Sequence, residues 1–286
     1  MKNFYIISNS YRDPDCEKAK EIADYIIKKG CKCEYSTIER SSKIGDSDFL
    51  KVENISEEVD CCLVLGGDGT IIQVAGELAK KNIPILGINL GNIGFLAEIG
   101  RDNISAAIDR LLADDFYIEE RMMLEGCTLV DDVTGVKNLA LNDVVVTRAG
   151  TLRVIDYDIY VNDTLLTTIS GDGVVISTPT GSTGYSMSAG GPIVEPGTPV
   201  ILLTPVSAHK LNSRCVVLSP NDIIKIKVCG RKTDASIKVE AYFDAGVKYD
   251  MSVGDQLVVS CARQTTKVIK LNRESFVEAL SRKLKE

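Results

Sequence analysis

Near residue 120 the spacing of the hydrophobic residues changes, and this restricts the chain to two differently built parts. Before it, strand-like and helix-like segments alternate. Residues 4–8 read as a short buried strand, and Asp13-Pro14 reads as a helix start. Ala19, Ile22, Ala23, Ile26 and Ile27 then recur at helical spacing until Gly30 closes the helix. Strands are expected at 32–37, 61–65 and 84–89 and helices at 70–81 and 104–112, while 39–58 is polar and ambiguous. Such alternation joins parallel strands through right-handed crossovers. After residue 120 short β-rich runs follow one another, at 141–147, 154–161, 174–178, 200–204, 223–228 and 256–261. Turn residues such as Asn162-Asp163 and Ser219-Pro220-Asn221-Asp222 separate them. A last helical pattern carries Phe276, Val277, Ala279, Leu280 and Leu284. The expected architecture is an α/β N-terminal domain with a parallel sheet over 1–120, then an all-β, antiparallel, sandwich-like domain over 121–265. With 286 residues the chain has ample material for both.

Charge narrows the partners. Lysine and arginine total 33 against 40 acidic residues, a net charge of −7, and no basic face or segment stands out. Nucleic acid is therefore not expected. An acidic protein that binds a polyanion makes its positive potential locally, from helix ends, backbone N–H groups or a metal ion. The nine cysteines form no Cys-x-x-Cys pair and are odd in number, so they read as reduced thiols, with Cys61 and Cys62 as small buried hydrophobes. The apolar run at 4–7 is too short for a signal-peptide core. The uncharged stretch at 173–194 is too rich in Gly, Ser, Thr and Pro to span a bilayer. A cytoplasmic protein without a membrane partner is expected.

The strongest local signal is the strand Leu63-Val64-Leu65 running into Gly66-Gly67-Asp68-Gly69-Thr70 and then a helix. The glycines are expected to take positive φ and to let the backbone approach a ligand. The helix start offers unpaired N–H groups for phosphate at the carboxyl end of a parallel strand. Walker A is excluded because Thr70-Ile71 follows Gly69, and the dinucleotide fingerprint is excluded because position 72 is Ile72. A carboxylate within a phosphate loop should repel its ligand. Either a metal ion intervenes or Asp68 is there for proton chemistry.

A second signal is Ser170-Gly171-Asp172-Gly173, a strand, and then Thr178 through Pro192. It is dense in Gly, Ser and Thr with one tyrosine, Tyr185, a surface suited to a sugar, an amide or a base. A third is Asn142-Asp143 at the start of an apolar strand.

Gly66-Gly67-Asp68-Gly69-Thr70, Gly91-Asn92-Ile93-Gly94-Phe95-Leu96, Asn142-Asp143, and Gly171-Asp172-Gly173 through Gly191-Pro192 resemble, in order and separation, the motifs of the NAD kinases. The resemblance implies transfer of a phosphoryl group from ATP to the adenosine ribose 2′-hydroxyl of NAD, giving NADP. It also implies a divalent metal, with Mg²⁺ foremost, a homodimer or homotetramer, and a C-terminal segment, 266–286, that returns to the first domain. By position, Asp68 corresponds to the acid that orients and deprotonates the hydroxyl. Gly66, Gly67, Gly69 and Thr70 correspond to the triphosphate loop. Asn142 and Asp143 correspond to residues that hold ribose and adenine. Asp68 and Gly69 themselves, with Phe95, Asp172, Thr180, Thr183, Gly184, Tyr185 and Ser188, fall on NAD-contacting positions.

Some positions depart from that family's pattern: Asn92, Gly184, Ala208 and Cys215, and Asp244-Ala245-Gly246 where Asp-Gly-Gln is usual. Arg148, Arg153, Lys210 and Arg214 are read as solvated surface charges, and His209, the single histidine, as a hydrogen-bonded structural residue. Two other functions share features with this sequence. Lipid kinases of the diacylglycerol and sphingoid-base type use a Gly-Gly-Asp-Gly-Thr loop, but the Asn-Asp pair lies far downstream here, and no basic amphipathic surface is visible. A non-catalytic nucleotide sensor would gain nothing from a carboxylate beside phosphate.

Overall fold

The structure, a computed structural model, describes residues 1–38, 55–91, 94–130, 133–150, 153–209, 213–230, 237–244 and 246–285. Most of the ambiguous 39–58 stretch, together with Asn92, Lys210 and Ala245, lies outside the described residues. The chain forms two compact units, one built from the stretch before Met122 together with the residues from Gln264 onward, the other from Met122–Arg263.

In the first unit β1 (Asn3–Asn9), α1 (Glu17–Lys28), β2 (Lys32–Ile38), β3 (Cys61–Gly66), α2 (Asp68–Lys80), β4 (Ile85–Asn89), β5 (Ile99–Gly100) and α3 (Ile104–Leu112) follow in order. The four longer strands lie parallel in the order β2-β1-β3-β4. The near-continuous apolar runs of β1, β3 and β4 reflect burial on both faces, whereas β2 is largely exposed; all six residues of β3 and all five of β4 are buried. Phe4, Ile6, Cys61, Leu63, Leu65, Leu86 and Ile88 share one core with Ala19, Ile22 and Ile26 of α1 and Ala107, Ile108 and Leu111 of α3. α2 covers the opposite face, where Ile71 rests over Gly87. All the carboxyl ends of the parallel strands therefore meet at one edge, and the Gly66–Thr70 turn is on it.

Past β6 (Tyr117–Val130), β7 (Val133–Thr134) and β8 (Asn138–Ala140), the second unit is a sandwich of two antiparallel sheets. Its strands are β9 (Asp143–Arg148), β10 (Ile155–Val161), β11 (Thr164–Gly171), β12 (Gly173–Ser177), β13 (Ile201–Val206), β14 (Val216–Leu218), β15 (Ile224–Val228), β16 (Val239–Phe243), β17 (Val247–Met251) and β18 (Gln256–Lys270). One sheet runs β14-β13-β12-β9-β16-β17, and the other includes β11-β10-β15-β18. Alternate residues of the two inner faces interleave in one core: Val144, Val146, Val174, Ile176, Ala241 and Phe243 against Tyr157, Ile159, Ile226, Val228, Leu257 and Val259. This is the antiparallel, sandwich-like architecture that the alternation predicts.

β18 is far longer than the expected run at 256–261. Its first part pairs antiparallel with β15, through contacts such as Ile226 with Leu257. Its last part lies parallel to β4, where Val268 meets Ile85. The chain thus returns to the first unit, and α5 (Phe276–Lys283) belongs to that unit. A capping box opens α5: Ser275 Oγ accepts from the Glu278 amide, and the Glu278 carboxylate accepts from the Ser275 amide at 2.7 Å.

The stretch from Thr178 to Pro192, dense in small residues, is in part helical. A 3-10 turn at Thr180–Thr183 leads into the short helix α4 (Tyr185–Ser188). The small residues serve packing here. Ser182 and Ser186 are fully buried, and the Ser186 and Thr204 hydroxyls are hydrogen-bonded at 2.9 Å.

Candidate functional site

At the carboxyl edge of the first unit's sheet, β3 ends at Gly66, Gly67 caps α2, and Asp68 is the first helical residue. None of Gly66, Gly67 and Gly69 takes positive φ, contrary to the expectation for this turn. Gly66 is required by close approach instead. A Cβ there would fall 2.3 Å from Thr70 Oγ1, whose hydroxyl accepts from Asn9 Nδ2 at 3.1 Å. Thr70 is buried, so its side chain ties the turn to the end of β1. At Gly67 and Gly69, by contrast, an added Cβ would meet no atom within 4 Å. Those two glycines present bare backbone at a helix start, the arrangement that favours an anion.

Asp68, between those two glycines, has its carboxylate against the 94–97 segment. Its carboxylate accepts three main-chain hydrogen bonds, from Phe95 N at 2.7 Å and from Leu96 N and Ala97 N, each at 3.2 Å. Gly94 lies directly against it, where a Cβ would come 2.1 Å from the carboxyl carbon and both oxygens. Asp68 is thus clamped in one rotamer by a segment 27 to 29 residues further along the chain. This removes the conflict of a carboxylate in an anion loop: main-chain dipoles meet its charge, and neighbouring amides stay available for phosphate. Phe95 is half-buried, with the Lys283 ammonium of α5 6.0 Å from its ring centre.

The second unit gathers Asn142, Asp143, Thr180, Thr183 and Gly184. Gly181 lets the segments approach, because a Cβ there would sit 2.1 Å from the Asn142 carbonyl oxygen. Thr178 donates its amide to Asn142 O at 2.9 Å and its hydroxyl to Leu141 O at 2.6 Å. A Cβ at Gly184 would be 3.4 Å from Asn142 Nδ2 and 3.8 Å from Asp143 Oδ2. The Asn142 Oδ1 is buried and has no hydrogen-bond partner among the described residues. Tyr185 and Ser188 are exposed on α4. Asp172 belongs to a different grouping: its carboxylate accepts from Arg148 Nε at 2.6 Å. Arg148 is therefore not a solvated surface charge. That hydrogen bond, with the opposite charge, holds the Asp172 carboxyl below the usual range despite some desolvation. His209 is exposed, and its hydrogen bond is that of its main-chain amide to Ser170 O at 2.9 Å.

Sequence reasoning does not reach Asn9, and it meets Asp244 only as part of a tripeptide to which it gives no role. The Asp244 carboxylate accepts from the amides of Leu141, Asn142 and Asp143 at 2.5, 2.8 and 3.1 Å. Desolvation, then the facing Asp244 charge, pushes the Asp143 carboxyl up to about 7. Desolvation raises Asp244 too, but its three amide donors act the other way. We place the shared charge on Asp244, the partner with the donors. The pH consequence follows in sign. A carboxyl raised above its unfolded value contributes stability at about pH 4 that is lost as pH rises to about 7. Asp143→Asn, which mimics the protonated form, is expected to flatten that part of the curve of melting temperature against pH. An unchanged slope would show that Asp143 ionises normally.

Two family models together match most of the chain: the ATP-NAD kinase N-terminal domain over residues 4–116 and the ATP-NAD kinase C-terminal domain over residues 141–271. Among curated proteins, the NAD kinase of Agathobacter rectalis is 41% identical over 286 residues, covering 99% of each chain. That of Lachnospira eligens is 38% identical over 295 residues, covering 99% of this chain and all of its relative. The fold is that of solved kinases. Yeast NADH kinase complexed with NADH superimposes with a TM-score of 0.82 at 23% identity, over 99% of this chain and 88% of the other. An NAD kinase from Archaeoglobus fulgidus in complex with ATP gives 0.76 at 22% identity, over 99% and 98%. A strand-end anion turn, a clamped acid beside it and sequence kinship over the whole length converge, and the chain belongs to the ATP-NAD kinase family.

Proposed function

We propose that the protein transfers the γ-phosphoryl group of ATP to the adenosine ribose 2′-hydroxyl of NAD, giving NADP. The observation that carries this reading is the Asp68 carboxylate, held by the amides of residues 95–97 beside the bare backbone of Gly67 and Gly69. Phosphoryl transfer asks little covalent chemistry of a protein. It needs the donor and acceptor oxygens held in line and the developing charge stabilised. Gly66, Gly67 and Gly69 cradle the triphosphate through main-chain N–H groups, and the start of α2 adds its partial positive charge. Asp68 receives the proton of the 2′-hydroxyl as that oxygen attacks, its carboxylate already oriented. Asn142 and Asp143 hold ribose and adenine, aided by Thr180, Thr183, Gly184, Tyr185 and Ser188. Asp172 we assign instead to the ion pair with Arg148 that steadies the strand ends at Gly171–Gly173.

No group of three or more His, Cys, Asp or Glu side chains among the described residues is arranged to hold a metal ion. A Mg²⁺ carried by ATP needs no such cage, since phosphate oxygens and water supply most of its six ligands. When bound, it neutralises charge on the phosphates. No helix among the described residues is long and apolar enough to cross a membrane. We place the enzyme in the cytoplasm, working as a homodimer or homotetramer.

The test is direct. Purified protein with MgATP and NAD is expected to yield NADP, read with a NADP-specific dehydrogenase. Phosphorylated diacylglycerol or sphingoid base without NADP would move the protein to the lipid kinases. Nucleotide binding without turnover would make it a sensor. Substituting NADH for NAD, and polyphosphate for ATP, in the same assay sets the acceptor and donor range.

A further inference from the structure

We propose that Asp244 is a positioning residue for NAD, acting through the main chain of Leu141–Asp143. The inference rests on the reading that Asn142 and Asp143 hold the adenosine end of NAD. Asp244 directly follows β16, which pairs antiparallel with β9, Phe243 lying opposite Val144. At this end the ladder continues with Asp244 N donating to Asp143 O at 3.0 Å. The chain turns here with Asp244 at φ 50, the left-handed region that aspartate tolerates better than most side chains. The turn swings the carboxylate back over the start of β9. There it collects the consecutive amides of Leu141, Asn142 and Asp143.

Three adjacent N–H groups aimed at one side chain form an anion-holding concavity, and Asp244 fills it from within the protein. The opposite edge of the segment is fixed as well, since the Asn142 carbonyl accepts from Thr178 N at 2.9 Å and from Ser177 Oγ at 3.2 Å. The backbone of residue 142 is thereby held from both sides. Its side-chain Oδ1 is buried and has no partner among the described residues. A main chain fixed this firmly beneath an amide oxygen with no partner is what a recognition site for a sugar hydroxyl or an adenine amino group requires. Asp244 contributes the fixing, and Asn142 the contact. No uncharged side chain of similar size does the same. The asparagine isostere keeps one acceptor oxygen but sets its amide nitrogen, a donor, against the remaining N–H.

The test is steady-state kinetics of Asp244→Asn and Asp244→Ala, with Asn142→Ala in parallel and melting temperatures recorded for each. Asp244→Ala is expected to raise KM for NAD about tenfold or more while KM for ATP stays within about twofold. Asp244→Asn, which keeps part of the acceptor set, is expected to fall between it and the parent protein. A merely structural role would lower the amount of active protein and leave both KM values where they were. That result, or equal rises in both KM values, overturns the proposal. Should the alanine variant not fold, the asparagine variant decides on the same KM split. If Asn142→Ala raises KM for NAD and neither Asp244 variant does, the positioning role alone fails. If Asn142→Ala leaves KM for NAD unchanged, the adenosine-site reading fails and takes this inference with it.

Discussion

Asp68→Asn is expected to lower kcat by about 10²-fold or more, with smaller changes in the KM values for ATP and NAD. The size follows from what the substitution removes. Asparagine does not accept a proton at neutral pH, so the 2′-hydroxyl must lose its proton to water. The change also disturbs the clamp. Asp68 Oδ1 accepts from Leu96 and Ala97 and Oδ2 from Phe95; an asparagine keeping the first two would turn its NH₂ toward the Phe95 amide. One hydrogen bond to a charged acceptor is lost, a destabilisation of about 1.5–3 kcal/mol, which leaves most of a domain's stability in place. Circular dichroism and ATP binding should therefore be close to those of the parent while turnover is not. Turnover near the parent's would sink the proton-acceptor role.

Gly94→Ala is expected to lower kcat about tenfold or more by moving a residue it never touches in sequence. The methyl group would lie 2.1 Å from the Asp68 carboxyl carbon, closer than any non-bonded contact. Either the carboxylate leaves the amides of residues 95–97 or that segment backs away, and in both cases the acid is no longer held in place. Overpacking of this kind costs about 1–3 kcal/mol of stability. The informative comparison is between kcat and melting temperature. A kcat fall far larger than the loss of folded protein explains marks Gly94 as the keeper of Asp68's rotamer. A parent-like kcat would show that the acid works without its clamp.

Local patterns carried much of the architecture, because each is a one-dimensional record of burial. The two-face burial of β3 and β4 left unbroken apolar runs, the one-face burial of α1 left its helical stripe, and the inner faces of the sandwich left alternation. Local patterns failed where the decisive partner is remote. Nothing near Asp68 announces that residues 95–97 hold it, and nothing near Asn142 points to Asp244, 102 residues away. The turn glycines do not share one cause: at Gly66 the constraint is the space taken by Thr70 rather than a backbone angle, and Gly67 and Gly69 stand in open space. β18 was cut short in the sequence because Arg263-Gln264-Thr265-Thr266-Lys267 interrupts its apolar run, although Thr266 is buried. Arg148 reads as a solvent charge in the sequence because its partner, Asp172, lies 24 residues on, in the bend between β11 and β12.

The closing strand of the first unit has a consequence for synthesis. Val268 completes the ladder beside Ile85, and Glu98 accepts from Lys270 Nζ and from the amides of Leu271 and Asn272 at 2.8, 3.2 and 2.9 Å. On the ribosome the later-made unit has all its residues first, at Arg263, while the earlier one still lacks the segment that begins at Gln264. At about 5–20 residues per second, the nascent N-terminal part waits roughly ten to thirty seconds with the Ile85 edge of its sheet bare. Exposed sheet edges recruit other strands, so this interval is when a growing chain would need a chaperone most.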